Sequence, residues 1–161
     1  MIVVLLGKTS SGKDTVCNQL IQKGYKKLVT YTTRPMRPGE VQDETYHFIR
    51  KEEFEILISK GFFAEYTSYD TKEGVWLYGS AIDDYESNSD SIIILNPSGY
   101  EQILKNLNKE DITSFYIYSN IKTIKNRLTK RGDKKAEAAR RIEADLADFK
   151  GLEDKVDHIV Y

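Results

Sequence analysis

The sequence predicts an α/β fold built on a parallel sheet, and three observations carry that expectation. Residues 3–6 (VVLL) and 91–95 (SIIIL) are apolar at nearly every position, as in strands covered on both faces. Segments with apolar residues at helical spacing alternate with such runs, which is the order of a sheet built from crossover connections. Residues 31–81 break the alternation: they are rich in Tyr, Thr, Arg and Phe and read as a strand-rich insertion.

Taken in order, the run 3–6 is the first strand. Val16, Leu20 and Ile21 share one face of the helix after it, which is expected to stop near Gly24. The insertion carries proline turns at Pro35 and at Pro38-Gly39. It also holds one short amphipathic helix, 52–60, with Phe54, Leu57 and Ile58 inward. Beyond the strand at 91–95, Ile103, Leu104 and Leu107 mark a second core helix, 115–118 a weaker strand, and Ile121, Ile124 and Leu128 a third helix. The polar tract RGDKK at 131–135 interrupts the pattern. A long helix at 135–149 then places Ala138, Ile142, Leu146 and Phe149 on one stripe, and 158–160 is a last strand candidate.

A chain of 161 residues can bury roughly 70% of the surface its unfolded form exposes. Its 24 basic and 25 acidic residues nearly cancel, which leaves no electrostatic footprint for nucleic acid or an acidic membrane. Anion binding must therefore be local. One cysteine excludes an internal disulfide, and two histidines argue against a histidine or thiolate metal site. The N-terminal apolar run is too short and lacks the basic flank of a signal peptide, and no stretch is long enough to cross a bilayer. The expectation is a cytoplasmic protein with small-molecule partners; the oligomeric state is not encoded in any of these features.

The stretch GKTSSGKDT, Gly7, Lys8, Thr9, Ser10, Ser11, Gly12, Lys13, Asp14 and Thr15, carries the frame G-x-x-x-x-G-K between an apolar strand and a helix. In that setting successive backbone N–H groups converge on phosphate oxygens and the lysine reaches the outer phosphates. The fold expected is accordingly of the P-loop NTPase type. Asp14 stands where such loops place a Ser or Thr for Mg²⁺. It is expected to face the metal with Thr15 on a donor phosphate, or else to cap the helix, where a carboxylate suits the dipole.

A second constellation is TYTTRPMRPGEVQDETYHFI at 30–49. Arg34 and Arg37 lie three apart in a proline-stiffened segment, which suits two guanidinium forks converging on one phosphate, with the Tyr46 hydroxyl beside them. Taken alone, the same residues also fit solvated arginines and a half-buried strand tyrosine. His47 reads as a packing residue, because transfer between phosphates needs no base.

TTRPMRPGE, then YHFI, EEFE, FFAEY and YGS, with the loop before them and NRLTKRG and RRIEADL after them, resembles the guanylate kinase family in order and spacing along nearly the whole chain. That resemblance implies a single domain, 1–161. A parallel-sheet core would comprise 1–30 and 82–161, a nucleoside-monophosphate lobe 31–81 and a short lid about 129–140. It implies ATP as donor, GMP as acceptor and Mg²⁺ as cofactor. Arg34, Arg37, Tyr46 and Tyr78 would hold the acceptor phosphate. Thr30, Glu65, Gly79, Ser80 and Asn96 would surround the base. Lys13, Arg131 and Arg141 would stabilise the transferred group, with Arg140 an alternative to Arg141. Glu65 has an independent chemical reason: guanine offers two adjacent N–H donors to one carboxylate, and adenine does not. The chain departs from the family pattern at Ser10, Asp14 and Asn96, in a longer segment between Glu65 and Tyr78, in a slightly shorter lid, and in stopping at Tyr161. Two other readings stay open: a kinase of the same architecture for another nucleotide or a phosphorylated sugar, and a phosphopeptide-binding module without turnover. The second has no use for Lys13.

Overall fold

The computed structural model describes residues 1–86 and 89–161. The chain begins with β1 (Ile2–Leu6), whose five side chains are all buried, and passes through the glycine loop into α1 (Lys13–Gln22). After β2 (Lys26–Lys27) it enters a second sheet. This contains β3 (Tyr31–Thr32), β4 (His47–Phe48) and the long hairpin of β5 (Phe63–Thr71) and β6 (Gly74–Ala81), with α2 (Lys51–Ser59) ahead of the hairpin. Next come α3 (Ile82–Tyr85), β7 (Ser91–Ile94), α4 (Pro97–Asn106) and β8 (Ile112–Ile117). The last elements are α5 (Ile121–Arg131), α6 (Lys135–Asp148) and β9 (His158–Val160).

The first sheet has the order β2-β7-β1-β8-β9 and is parallel throughout. The second has the order β4-β3-β6-β5 and is antiparallel except where β3 meets β4. β1 is central because it can be buried on both faces. Val4 and Leu6 point into one core with Ile93, Tyr100, Ile103, Tyr116 and Phe149, while Val3 and Leu5 point into another with Cys17, Ile92 and Ile117. This two-residue alternation is what the wholly apolar run foretold.

Three apolar positions depart from the helical stripes expected of them. Ile21 and Ile121 are exposed, and in α1 the buried position is Cys17. Leu146, 44% exposed, lies off the inward face of α6, and Asp145 takes its place there. From Ile142 the two positions are three and four residues on, so a small rotation chooses between them. Phe149, four beyond Asp145, is buried against Tyr116, and Asp145 itself is bonded to the glycine loop. Those two contacts set the rotation.

The second sheet is built around a cluster of Phe54, Phe63 and Leu77, with the Phe54 and Phe63 rings stacked 4.4 Å apart. It is fastened through its edge strand, β5, to α4, which packs on the first sheet. The Gln102 amide accepts from Tyr66 N–H at 3.1 Å and donates to the Tyr66 carbonyl at 3.0 Å, and Asn106 donates to the Ala64 carbonyl at 2.8 Å. Among the described residues no helix is long and apolar enough to cross a membrane.

Phe54 is fully buried, so Phe54→Ala should lower stability by about 3–5 kcal/mol, through lost burial and the cavity left behind. Denaturant titration should show a lower midpoint with an unchanged slope.

Candidate functional site

The glycine loop leaves β1 at Gly7, and the loop closes tightly there. A Cβ on Gly7 would lie 2.4 Å from Ser11 Oγ and 3.1 Å from the Ile117 carbonyl. Ser10 holds a left-handed φ of 54°, a conformation that costs a non-glycine residue about 1–2 kcal/mol and persists only where its surroundings over-determine it. The surroundings are an arginine. Arg127 of α5 donates through Nη1 to the Ser10 and Ser11 carbonyls, both at 2.9 Å, and the Ser119 hydroxyl donates to the Ser11 carbonyl at 3.1 Å. Sequence reading passed over Arg127 because its closest partners are main-chain atoms more than a hundred residues away.

Lys13 is the first residue of α1, and its ammonium reaches only the Lys8 carbonyl, at 3.4 Å. Burial lowers its pKa, with Asp14 and Asp145 opposing and Arg131 assisting. Among the described residues Lys13 forms no ion pair. Asp14 and Thr15 are exposed on the first turn. The N-cap is Gly12 and no side chain caps it, so Asp14 makes no capping bond. Ser11 Oγ is buried without a partner. A half-buried lysine without an ion-pair partner, an orphaned hydroxyl and a helix N-terminus form a site suited to phosphate. Thr9 N–H is already taken: it donates to Asp145 Oδ2 at 2.6 Å.

Arg34 and Arg37 part company. Arg34 is 5% exposed and grips Glu40: Nη1 and Nη2 donate to the two Glu40 carboxylate oxygens at 3.0 and 2.7 Å, and Nη1 also donates to the Pro35 carbonyl. Its guanidinium lies over the Tyr46 and Phe48 rings, 5.4 and 5.7 Å from their centroids. The bonds to Arg34 hold the Glu40 pKa far below the ordinary carboxylate value, at about 2. Glu40 also accepts from Arg37 N–H at 2.7 Å, so one carboxylate folds the whole RPMRPGE turn. Arg37 is exposed and lines the cleft with Tyr46 and Tyr78, which stand edge to face. His47 packs on Tyr31 and bonds Asp43.

Across the cleft, β5 and β6 pair Glu65 with Ser80, Thr67 with Tyr78 and Tyr69 with Trp76. Glu65 is 4% exposed, accepts from Ser80 Oγ at 2.7 Å, and has its pKa raised to about 7 by burial. The Ser80 hydroxyl is in turn 2.7 Å from Tyr85. Gly99 makes room for the carboxylate, since a Cβ there would sit 2.8 Å from Glu65 Oε2. Asn96 is engaged by the protein at both ends of its amide. Its Oδ1 caps α4 by accepting from Gly99 N–H, and its amide donates to the Tyr69 hydroxyl.

One cleft of about 440 Å³ gathers Gly7, Thr9, Lys13, Thr30, Arg37, Tyr46, Glu65, Tyr78, Gly79, Asn96, Arg140 and Arg141. Asp145 and the single tryptophan, Trp76, line it too; neither stood out in the sequence. Lys8, Ser10, Ser11, Gly12, Asp14, Thr15, Arg34, Ser80 and Arg131 of the expected set do not line it. Residues 129–140 are the end of α5, a short link and the start of α6. There Arg131 forks onto Asp133 at 2.6 Å through two nitrogens, Arg140 forks onto Glu137, and Arg141 donates to Glu137 at 2.9 Å and Asp133 at 3.4 Å. Among the described residues no three His, Cys, Asp or Glu side chains gather into a metal cage. A metal carried on phosphates needs none, because Mg²⁺ keeps most of its waters and takes one or two protein ligands.

Comparison with known proteins agrees along the chain. The family model described as guanylate kinase matches residues 1–160. The guanylate kinase of Clostridioides difficile is 32% identical over 158 residues, covering 96% of this chain and 76% of that protein. That of Clostridium tetani is also 32% identical, covering 86% of this chain and 66% of its own. The crystal structure of guanylate kinase from Anaplasma phagocytophilum superimposes with a TM-score of 0.71 at 25% identity, over 99% of this chain and 75% of that one. With the family matched from one end of the chain to the other and the same architecture in a solved relative, the chain belongs to the guanylate kinase family.

Proposed function

We propose that the protein transfers the γ-phosphoryl group of ATP to the phosphate of GMP, giving ADP and GDP, with Mg²⁺ as cofactor. The observation that carries the acceptor's identity is Glu65: a carboxylate buried beside Ser80, across the cleft from Lys13 and the glycine loop. Guanine presents two N–H donors to such a carboxylate, so Glu65 reads it; the Ser80 hydroxyl, whose one proton goes to Glu65, steadies that carboxylate and would reach the guanine oxygen only by turning away from it, while Thr30, Gly79 and Asn96 shape the surroundings. Arg37, Tyr46 and Tyr78 hold the acceptor phosphate. Arg34 supports them from behind through Glu40, with the guanidinium protons that Glu40 and Pro35 leave unused turned to Tyr78.

On the donor side, the loop amides and Lys13 hold the outer phosphates, and Asp14 and Thr15 are the residues that would face Mg²⁺ and a phosphate. When bound, the ion neutralises charge shared by the β and γ oxygens. An acceptor oxygen attacks the γ-phosphorus as its bond to the bridging oxygen breaks. The chain supplies position and positive charge, with Arg141 and Arg131 exchanging Glu137 and Asp133 for the transferred group. ATP consumption with a panel of nucleoside monophosphates tests the reading: GMP should be phosphorylated well ahead of AMP, CMP and UMP.

Arg37→Ala should raise the GMP KM about tenfold or more with little change for ATP, because a charge-assisted bond contributes roughly 1.5–3 kcal/mol. Arg34→Ala should also lower stability, by about 1.5–3 kcal/mol, since the partly exposed Glu40 loses its charge-assisted pair and keeps only the bond from Arg37 N–H. Thermal unfolding separates the two variants.

Glu65 sets a pH dependence. Its pKa is raised from 4.5 to about 7, so its contribution to folding stability is complete below 4.5 and lost as pH rises through 7. Glu65→Gln should therefore stabilise the free protein at about pH 8, by up to roughly 3 kcal/mol, with the gain fading toward acid. GMP requires the ionised form, so in the wild type its KM should rise as pH falls from about 8 to 6, without a parallel change for ATP. Removing Arg131 should lower kcat by on the order of 10³-fold.

A further inference from the structure

Asp145 contacts the glycine loop across the fold: its Oδ2 accepts from Thr9 N–H at 2.6 Å, and burial raises its pKa against the opposing pull of that bond and of the Lys13 and Lys8 charges. The contact shares with the packing of Phe149 on Tyr116 the work of fixing how α6 is turned. No residue of α6 is fully buried, and the helix turns Asp145 rather than Leu146 inward. The carboxylate thus occupies an amide of the loop whose N–H groups serve phosphate oxygens in the reading given above, on which this inference rests.

We infer that Asp145 is an internal stand-in for a donor phosphate oxygen, holding the Thr9 amide in the free protein and giving it up when the triphosphate arrives. Two anions cannot share one N–H donor at this distance, and the triphosphate, with more charge and more donors to meet, displaces the carboxylate. The loop keeps its binding shape while empty, and α6 stays docked on it. Displacement frees α6, the helix that carries Arg140 and Arg141, only once a donor is present. Asp145 is a positioning residue whose removal strengthens donor binding, the opposite of what loss of a ligand to the nucleotide would do.

The test uses calorimetry with Mg²⁺-free ATP and with inorganic tripolyphosphate on the wild type, Asp145→Asn and Asp145→Ala. Both probes should bind Asp145→Ala about tenfold more tightly than the wild type. Asp145→Asn should fall between, since its amide oxygen still accepts from Thr9 without the charge. In nitrogen-proton spectra the Thr9 amide should move in Asp145→Ala, and tripolyphosphate should raise hydrogen exchange along α6 in the wild type. Equal or weaker binding by Asp145→Ala, an unmoved Thr9 amide, or unchanged α6 exchange would each overturn the inference. Weakening seen only with Mg²⁺ present would overturn it too, by assigning Asp145 to the metal. A wild type that binds neither probe overturns the kinase reading together with this inference; a wild type that binds both, without a gain in Asp145→Ala, overturns the inference alone.

Discussion

The arrangement depends on the burial of β1. A strand hydrogen-bonded on both edges and covered on both faces has to be apolar throughout, and the chain can leave it only at its carboxyl end. That exit lies between β7 and β8, where the connections run to opposite sides of the sheet and a crevice forms. The glycine loop sits there for that reason, with α1 directed away from it and Arg127 reaching back from α5 to fix its carbonyls.

Around this crevice most of the positive charge is already matched. Arg34 has Glu40, Arg131 has Asp133, Arg140 and Arg141 have Glu137, and the Thr9 amide has Asp145. Lys13 and Arg37 are left with no carboxylate partner among the described side chains. A crevice of unpaired cations would repel itself and weaken the fold. Distributing the carboxylates among them lets the site rest near neutrality, so that ligand capture becomes an exchange of anions rather than a neutralisation.

Much of this was legible in the sequence, and the parts that were not share a cause. The strands at both ends of the chain, the loop and α2 follow from composition and period, which are local. The pairing of Arg34 with Glu40 was not legible, although both residues lay inside the quoted motif. Spacing shows that two arginines are near each other, but not which one a turn will bury. Asp145 was hidden by its neighbour, because Leu146 fitted the apolar period and a carboxylate facing inward becomes reasonable only once the loop amide opposite it is known. Arg127 had no motif to mark it, its closest partners being backbone carbonyls far off in the chain.

The grip of α4 on the second sheet has a consequence for association. β5 is a nine-residue edge strand, long enough to recruit another chain by backbone pairing. Where Gln102 and Asn106 lie along it, side-chain amides occupy the places a neighbouring strand would take, donor to carbonyl and carbonyl to donor. The helix thereby impersonates one rung of the missing strand. A second molecule seeking to extend the sheet at that point would first have to evict it, so the same bonds that fasten Glu65 in place also act as a guard against aggregation.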